Sequence, residues 1–152
     1  MNILFDASAF LNIIRKEREK AYNILVNSYV LTLTPYEIGN AIWKEAKLQK
    51  RISLKEALEL LNAIFKVMRK IKIIEVKYKN KVFKIAYTLR VTYYDASYIV
   101  AAAENNLILV TDDEKLLNKL KESEKILVKN FKIKIETLTS TKLLQELKMS
   151  TA

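Results

Sequence analysis

Leu107-Ile108-Leu109-Val110-Thr111-Asp112-Asp113-Glu114-Lys115-Leu116-Leu117 runs from an unbroken apolar, β-prone stretch through an acidic corner into the first turn of a helix. An apolar run without alternation is the pattern of a strand buried on both faces, and a helix directly after it is the connection that parallel strands need. The same succession of strand, acid and helix stands at ILFDASAF around Asp6, VLTLTPYEIGNAIW around Glu37 and VTYYDASYIVAAA around Asp95. Strands separated by helices give an α/β fold, a three-layer sandwich with a central, mostly parallel sheet and helices on both faces.

In such a sheet the carboxyl ends of the strands converge on one edge, and ligands bind in the crevice beyond them. Asp6, Glu37, Asp95 and Asp113 all belong to that edge. Two carboxylates about 4 Å apart repel by about 4 kcal/mol in an effective dielectric of about 20, so a cation is expected among them. Hard oxygen ligands without imidazole or thiolate suit Mg²⁺ or Mn²⁺, ions that serve phosphoryl chemistry.

Each acid also has a plainer reading. Thr34 to Glu37 has the spacing of a capping box, as does Thr111 to Glu114, and Asp95 has the place of a helix N-cap. Asp6 is harder to explain away, because an aspartate directly after a buried strand is desolvated unless paired or metal-bound. Ser8, Asn40 and Thr111 stand where they can orient the carboxylates or a metal-bound water, and Asp112 is a fifth acid or an exposed neighbour of Asp113. Tyr93 and Tyr94 read as packing residues that could also stack on nucleobases, and Tyr36 and Trp43 read as core or interface aromatics.

The remaining elements follow from periodicity and caps. Strands are expected at Asn2–Phe5, Tyr29–Leu33, Ile71–Val76, Leu107–Val110, Ile126–Val128 and within Lys132–Leu138. Helices are expected at Ser8–Lys16, Arg18–Asn27, Thr34–Lys50 with Pro35 in its first turn, Ser53–Lys70, Lys77–Leu89, Asp95–Glu104, Asp113–Leu120 and Thr141–Lys148. In the fourth of these, Leu54, Ala57, Leu58, Leu61, Ile64, Phe65 and Met68 form a core or interface stripe.

With 152 residues, 51% of them hydrophobic, and no linker or repeat, the chain reads as a single domain over residues 1–152. No apolar stretch is suited to spanning a bilayer, and MNILFDASAF lacks the basic leader and cleavage site of a signal peptide, so a cytoplasmic protein is expected. The absence of cysteine and histidine excludes thiolate nucleophiles, Cys-based zinc sites and every mechanism built on an imidazole. A single glycine, Gly39, leaves no P-loop and no dinucleotide fingerprint. The formal net charge of +10 suits a polyanionic partner such as nucleic acid. The densest basic stretch lies between Lys66 and Lys84, with Lys66, Arg69, Lys70 and Lys72 as candidate phosphate contacts; its alternative is a solvated helix face.

These motifs together resemble the PIN-domain nucleases, and most of all the VapC-type toxins of toxin-antitoxin pairs. FDASAFL resembles the opening D-x-[ST] motif through Asp6 and Ser8, PYEIGNAIWK the second motif through Glu37 and Asn40, YYDASYIVAAAENN the third through Asp95, and LVTDDEKLL the T-x-D motif through Thr111 and Asp113. The likeness runs over about residues 2 to 130 and thins from Phe131 onward. It implies a PIN-like sandwich, metal-dependent endoribonuclease activity, a homodimer and an antitoxin that covers the acidic pocket. The rival readings are a non-catalytic RNA-binding PIN domain, a PIN nuclease of RNA processing without an antitoxin, a phosphotransfer module and a structural adaptor. Residue 8 is Ser where a haloacid-dehalogenase phosphatase needs a second Asp, and no extra acids flank Asp6 as a receiver domain requires.

Overall fold

A computed structural model describes residues 1–151; Ala152, the last residue of the expected domain, lies outside them. The sheet contains β1 (Ile3–Phe5), β2 (Tyr29–Leu31), β3 (Lys72–Ile74), β4 (Ile108–Val110) and β5 (Thr137–Leu138). Its order is β3-β2-β1-β4-β5, and every pairing is parallel. From β1 the chain steps outward to β2 and β3, then crosses back to lay β4 on the other side of β1. The direction of winding therefore reverses between β1 and β4, and the crevice above that reversal is where sheets of this kind bind ligands. Asp6 directly follows β1, and Thr111-Asp112-Asp113 directly follows β4.

The period-2 alternation of strands divides the interior into two cores. Ile3, Phe5, Val30 and Val110 face one side, where they pack with α1 (Ala7–Glu17), α2 (Ala21–Leu25), α3 (Thr34–Trp43), α4 (Leu54–Met68) and α9 (Ser140–Thr151). Leu4, Leu31 and Leu109 face the other, packed with α5 (Lys79–Leu89), α6 (Tyr93–Asn105), α7 (Glu114–Glu122) and α8 (Glu124–Phe131). The result is the expected three-layer sandwich. Among the described residues no helix is long and apolar enough to cross a membrane.

Local chemistry sets the boundaries. Ser53 caps α4 through a complete capping box with Glu56, at 3.1 Å to the Glu56 amide and 2.7 Å in return. With so little glycine, α5, α6 and α8 end on Arg90, Asn106 and Lys132 in the left-handed region, φ 55°, 51° and 57°. Asparagine adopts it most easily; Arg90 and Lys132 carry the usual Cβ strain.

Several expected elements differ. The helix from Thr34 is α-helical only to Trp43 and continues as π turns over Lys44–Leu48. Ile126–Val128 is helical, lying within α8, because a short apolar run fits either period and here Leu127 inserts into the second core. Of Lys132–Leu138, only Thr137–Leu138 pairs with β4; Ile133 is buried at 3% exposure, but against the helices rather than in a ladder. The α4 stripe is split: Ala57, Ile64 and Met68 are buried, while Leu54, Leu58 and Phe65 face solvent.

Candidate active site at the carboxyl edge

Asp6 leaves β1 with extended backbone and caps α1. One carboxylate oxygen accepts from the Ala9 amide at 2.8 Å and the Ser8 hydroxyl at 2.7 Å; the other accepts from the Thr111 hydroxyl. The residue is only 7% exposed. Burial pushes its pKa from the ordinary 3.8 up to about 6, the three donors oppose that shift, and the nearby charge of Asp112 adds to it. Asp6 is thus a helix cap and a strongly desolvated acid at once.

The capping box expected at Thr34 and Glu37 does not form. Leu33 takes the N-cap position, and Thr34, as the first helical residue, turns its hydroxyl inward. That oxygen accepts from the Leu31 amide at 3.0 Å and meets the Tyr98 hydroxyl at 2.7 Å. Tyr98 in turn donates to Glu37 Oε1 at 2.7 Å, which fixes the Glu37 side chain over the sheet edge. Burial raises the Glu37 pKa, the Tyr98 bond lowers it, and the charges of Asp6 and Asp95 raise it further. Burial, with the Glu37 charge behind it, lifts the Tyr98 phenol well above its ordinary value, so Tyr98 stays protonated as the donor.

Asp95 is not the N-cap of α6. Thr92 is, accepting from the Asp95 amide at 3.0 Å, and this leaves Asp95 as the third helical residue with its side chain toward the acids. Burial raises its pKa, the Thr92 contacts lower it, and the Asp113 charge raises it. Asp113 does cap its helix, accepting from the Lys115 and Leu116 amides at 2.9 and 3.1 Å through one oxygen. The T-x-x-E box expected at Thr111 is absent, since the Thr111 hydroxyl donates to Asp6 and accepts from the Asp113 amide at 3.1 Å.

The four acids therefore form one electrostatically coupled group: Asp6 with Glu37, Glu37 with Asp95, Asp95 with Asp113. None of them takes part in an ion pair among the described residues. Nor do any three acids among the described residues stand close enough to ligate one ion together. The two observations agree, because charges act on one another across distances at which their oxygens cannot share a first coordination sphere.

The supporting residues divide. Ser8 donates to Asp6 and accepts from the Asp112 amide at 3.0 Å. Asp112 accepts from Asn12 Nδ2 at 2.6 Å, the Ser140 amide at 2.7 Å and the Ser140 hydroxyl at 2.6 Å, so it ties the β4 exit to α1 and α9. Asn40 is exposed and makes no hydrogen bond to Glu37. Lys66, Arg69, Lys70 and Lys72 are exposed at the end of α4 and the start of β3, which is the amino edge of the sheet, and are not brought to the acids. Lys72 lies instead over the Tyr29 ring, 5.1 Å from its centroid. Tyr93 and Tyr94, read as packing residues, are 43% and 59% exposed, and Tyr36 and Trp43, at 82% and 51%, lie outside the core, which leaves the interface half of their reading. Tyr98, Asn12 and Ser140 escape a sequence reading; only Tyr98 leaves a trace there, one turn after Asp95 on the same helix face.

A family model described as the PIN domain matches residues 3–122. Two curated relatives come from Pyrobaculum aerophilum. "Exonuclease VapC9" is 41% identical over 92 residues, 60% of this chain and 66% of that protein. "Ribonuclease VapC3" is 31% identical over 126 residues, 78% of this chain and 95% of that protein. Among solved structures, PAE2754 of Pyrobaculum aerophilum superposes with a TM-score of 0.76 at 30% identity, covering 98% of this chain and 96% of the other. VapBC-1 of nontypeable Haemophilus influenzae gives a TM-score of 0.56 at 13% identity over 93% and 99% of the two chains, a likeness of fold. The family match spans every element that carries the four acids, and the chain belongs to the PIN-domain family, in its VapC-type group.

Proposed function

We propose that the chain is a metal-dependent endoribonuclease, the toxin of a VapBC-type toxin-antitoxin pair. The observation that carries the reading is the group of coupled, partly buried carboxylates with no cationic partner, set at the winding reversal of the sheet. Desolvated acids of this kind are costly unless a cation offsets them. All the donors are hard oxygens, which suits Mg²⁺ or Mn²⁺. Because no three acids among the described residues stand close enough to ligate one ion together, an ion here would take one or two carboxylates directly and keep its other waters, as Mg²⁺ commonly does. The two relatives named as nucleases and the net charge of +10 support a nucleic-acid substrate.

Asp6, Glu37, Asp95 and Asp113 are the residues that would hold the ion. When bound, it supplies charge neutralisation at the phosphodiester and a water of lowered pKa. The rest falls to the chain. Ser8, Thr111 and the Ala9 amide hold Asp6 in one orientation. Tyr98 engages only Oε1 of Glu37, and the α7 amides engage only one oxygen of Asp113, so each keeps a second oxygen available. In a chain that contains no histidine, one of these carboxylates would accept the proton of the attacking water.

Solvent-facing Phe83 and Tyr87 on α5 and Leu54 and Leu58 on α4 offer faces for a second copy or an antitoxin segment, and sedimentation with and without the neighbouring gene product tests both. The separation of the acids favours one alternative, a PIN domain that binds RNA without cutting it. Circular RNA decides: with Mg²⁺ or Mn²⁺ the wild type linearises it and EDTA stops the reaction, whereas retention without cutting selects the alternative. Because a circle has no ends, its linearisation also separates an endonuclease from an exonuclease.

A further inference from the structure

The carboxyl edge carries a second feature beside the acids. Where β2 and β3 end, Thr32, Leu33, Val76 and Lys79, together with Tyr93 and Ser97 of α6, line a cavity of about 140 Å³. That is far more room than one water needs, well short of a drug-sized site, and close to the size that takes up a single benzene ring. Its position is as informative as its volume. Tyr93 and Ser97, four residues apart, share one flank of α6, while Asp95 and Tyr98 share the opposite flank. Helix geometry puts the Tyr93 and Asp95 backbones only about 5 Å apart. The segment after β2 also reaches both places, with Leu33 at the N-cap of α3 in the cavity wall and Glu37 one turn on among the acids.

The lining has a consistent chemistry. Leu33 and Val76 present aliphatic surface, and Tyr93 presents an aromatic ring that is 43% exposed at the cavity mouth. The Ser97 hydroxyl donates to the Tyr93 carbonyl at 2.8 Å and keeps acceptor capacity, and the exposed Thr32 hydroxyl can donate or accept. The Lys79 ammonium stands at the rim, 3.5 Å from Glu75 in a pair with both partners open to water. A small, half-open cavity with aliphatic surface, one aromatic wall and hydroxyls at its edge matches a nucleobase, while Glu75, which shares the lining, offsets the Lys79 charge at the rim, so the fit is to the base rather than to its phosphate.

We infer that this cavity is a nucleobase subsite, holding against Tyr93 a base next to the phosphodiester that the neighbouring acids cut. The inference rests on the ribonuclease reading above and adds a substrate requirement. The base must leave its stack to enter, so the RNA is cut where it is single-stranded.

The test uses one RNA of known cleavage position, remade with a single abasic site at each nucleotide flanking the cut. Wild-type, Tyr93→Phe and Tyr93→Ala proteins are compared for cleavage with Mn²⁺ and for binding in EDTA. In the wild type, one abasic position weakens binding and raises KM by about 5- to 150-fold, the range for loss of one base–aromatic stack, and leaves kcat unchanged. Tyr93→Phe behaves like the wild type. Tyr93→Ala binds the intact RNA as poorly as the wild type binds the abasic one, and the abasic site costs it nothing more. The subsite is overturned if no flanking base matters to the wild type, or if the abasic penalty is the same in Tyr93→Ala. The abasic series on the wild type needs no variant, so a folding defect cannot imitate success. Binding that depends on that base without any metal-dependent cutting would support the subsite and reject the nuclease; cutting that ignores the base would do the reverse.

Discussion

Asp6 shows most plainly what it costs to bury an acid at the end of a strand. Its folded pKa of about 6 against an ordinary 3.8 means that, between those values, the native state holds a proton which the unfolded chain has released. Stability from this residue is therefore complete below about pH 4 and is lost as the pH rises through about 6, by on the order of 3 kcal/mol. Glu37 and Asp95, also raised, act with the same sign. In EDTA, the unfolding free energy of the wild type relative to Asp6→Asn should thus fall by about that amount between pH 4 and pH 7. The new amide would face the Thr111 hydroxyl, but that offset does not vary with pH and cancels in the comparison. A difference independent of pH would show that Asp6 is not desolvated. Saturating Mn²⁺ should raise the Tm of the wild type at pH 7 and raise that of Asp95→Asn less.

Asp6 was legible because an acid after a buried strand has few structural excuses. Glu37 was obscured, since T-P-Y-E fits a capping box equally well and only Tyr98, distant in sequence, decides otherwise. Asp95 and Asp113 were located at their helix starts, but the residue that caps each helix stands three positions before the expected one at α6 and two after it at α7, a choice that spacing leaves open.

At the scale of elements, the junction after β4 is the organising point. Thr111 reaches Asp6, Asp113 starts α7, and Asp112 holds α1 through Asn12 and the first residue of α9 through Ser140. Replacing Asp112 by Ala leaves those donors without an acceptor and should cost about 2 kcal/mol, read as a Tm lower by about 4–8 °C. Hydrogen exchange should show α9 opening before the sheet, and uniform protection across both would argue against a tether. None of this could be read in the sequence, where Asp112 looks like a duplicate of Asp113. Ile126–Val128 failed as a strand for a related reason: a short apolar run commits to a period only once its neighbours in space are known. Strands followed by long connections, as at β1, β2 and β4, were recognisable because burial on both faces leaves an uninterrupted apolar signature.

At the scale of the whole molecule, the +10 charge and the acidic edge pull in opposite directions. Under the proposed function, lysines spread over the surface would draw a polyanion in, and the carboxylates would repel its phosphates until a divalent ion reversed the local charge. RNA binding should accordingly weaken with added NaCl on a log-log line and, at fixed ionic strength, tighten on adding Mg²⁺ in the wild type more than in Asp95→Asn. Affinity indifferent to salt would remove the electrostatic part of this description. The fold itself followed from the order of strands and helices, whereas the placement of Lys66, Arg69, Lys70 and Lys72 at the far edge needed the sheet topology.

The claim on which all of this depends is that a divalent ion binds among Asp6, Glu37, Asp95 and Asp113, directly to one or two of them and through water to the others. Crystals grown with Mn²⁺ and measured for anomalous scattering test it directly: a peak among those carboxylates, lost in Asp95→Asn crystals under the same conditions, is the expected result. Full-occupancy Mn²⁺ only at other places, with the four carboxylates bound to nothing but water, would contradict it.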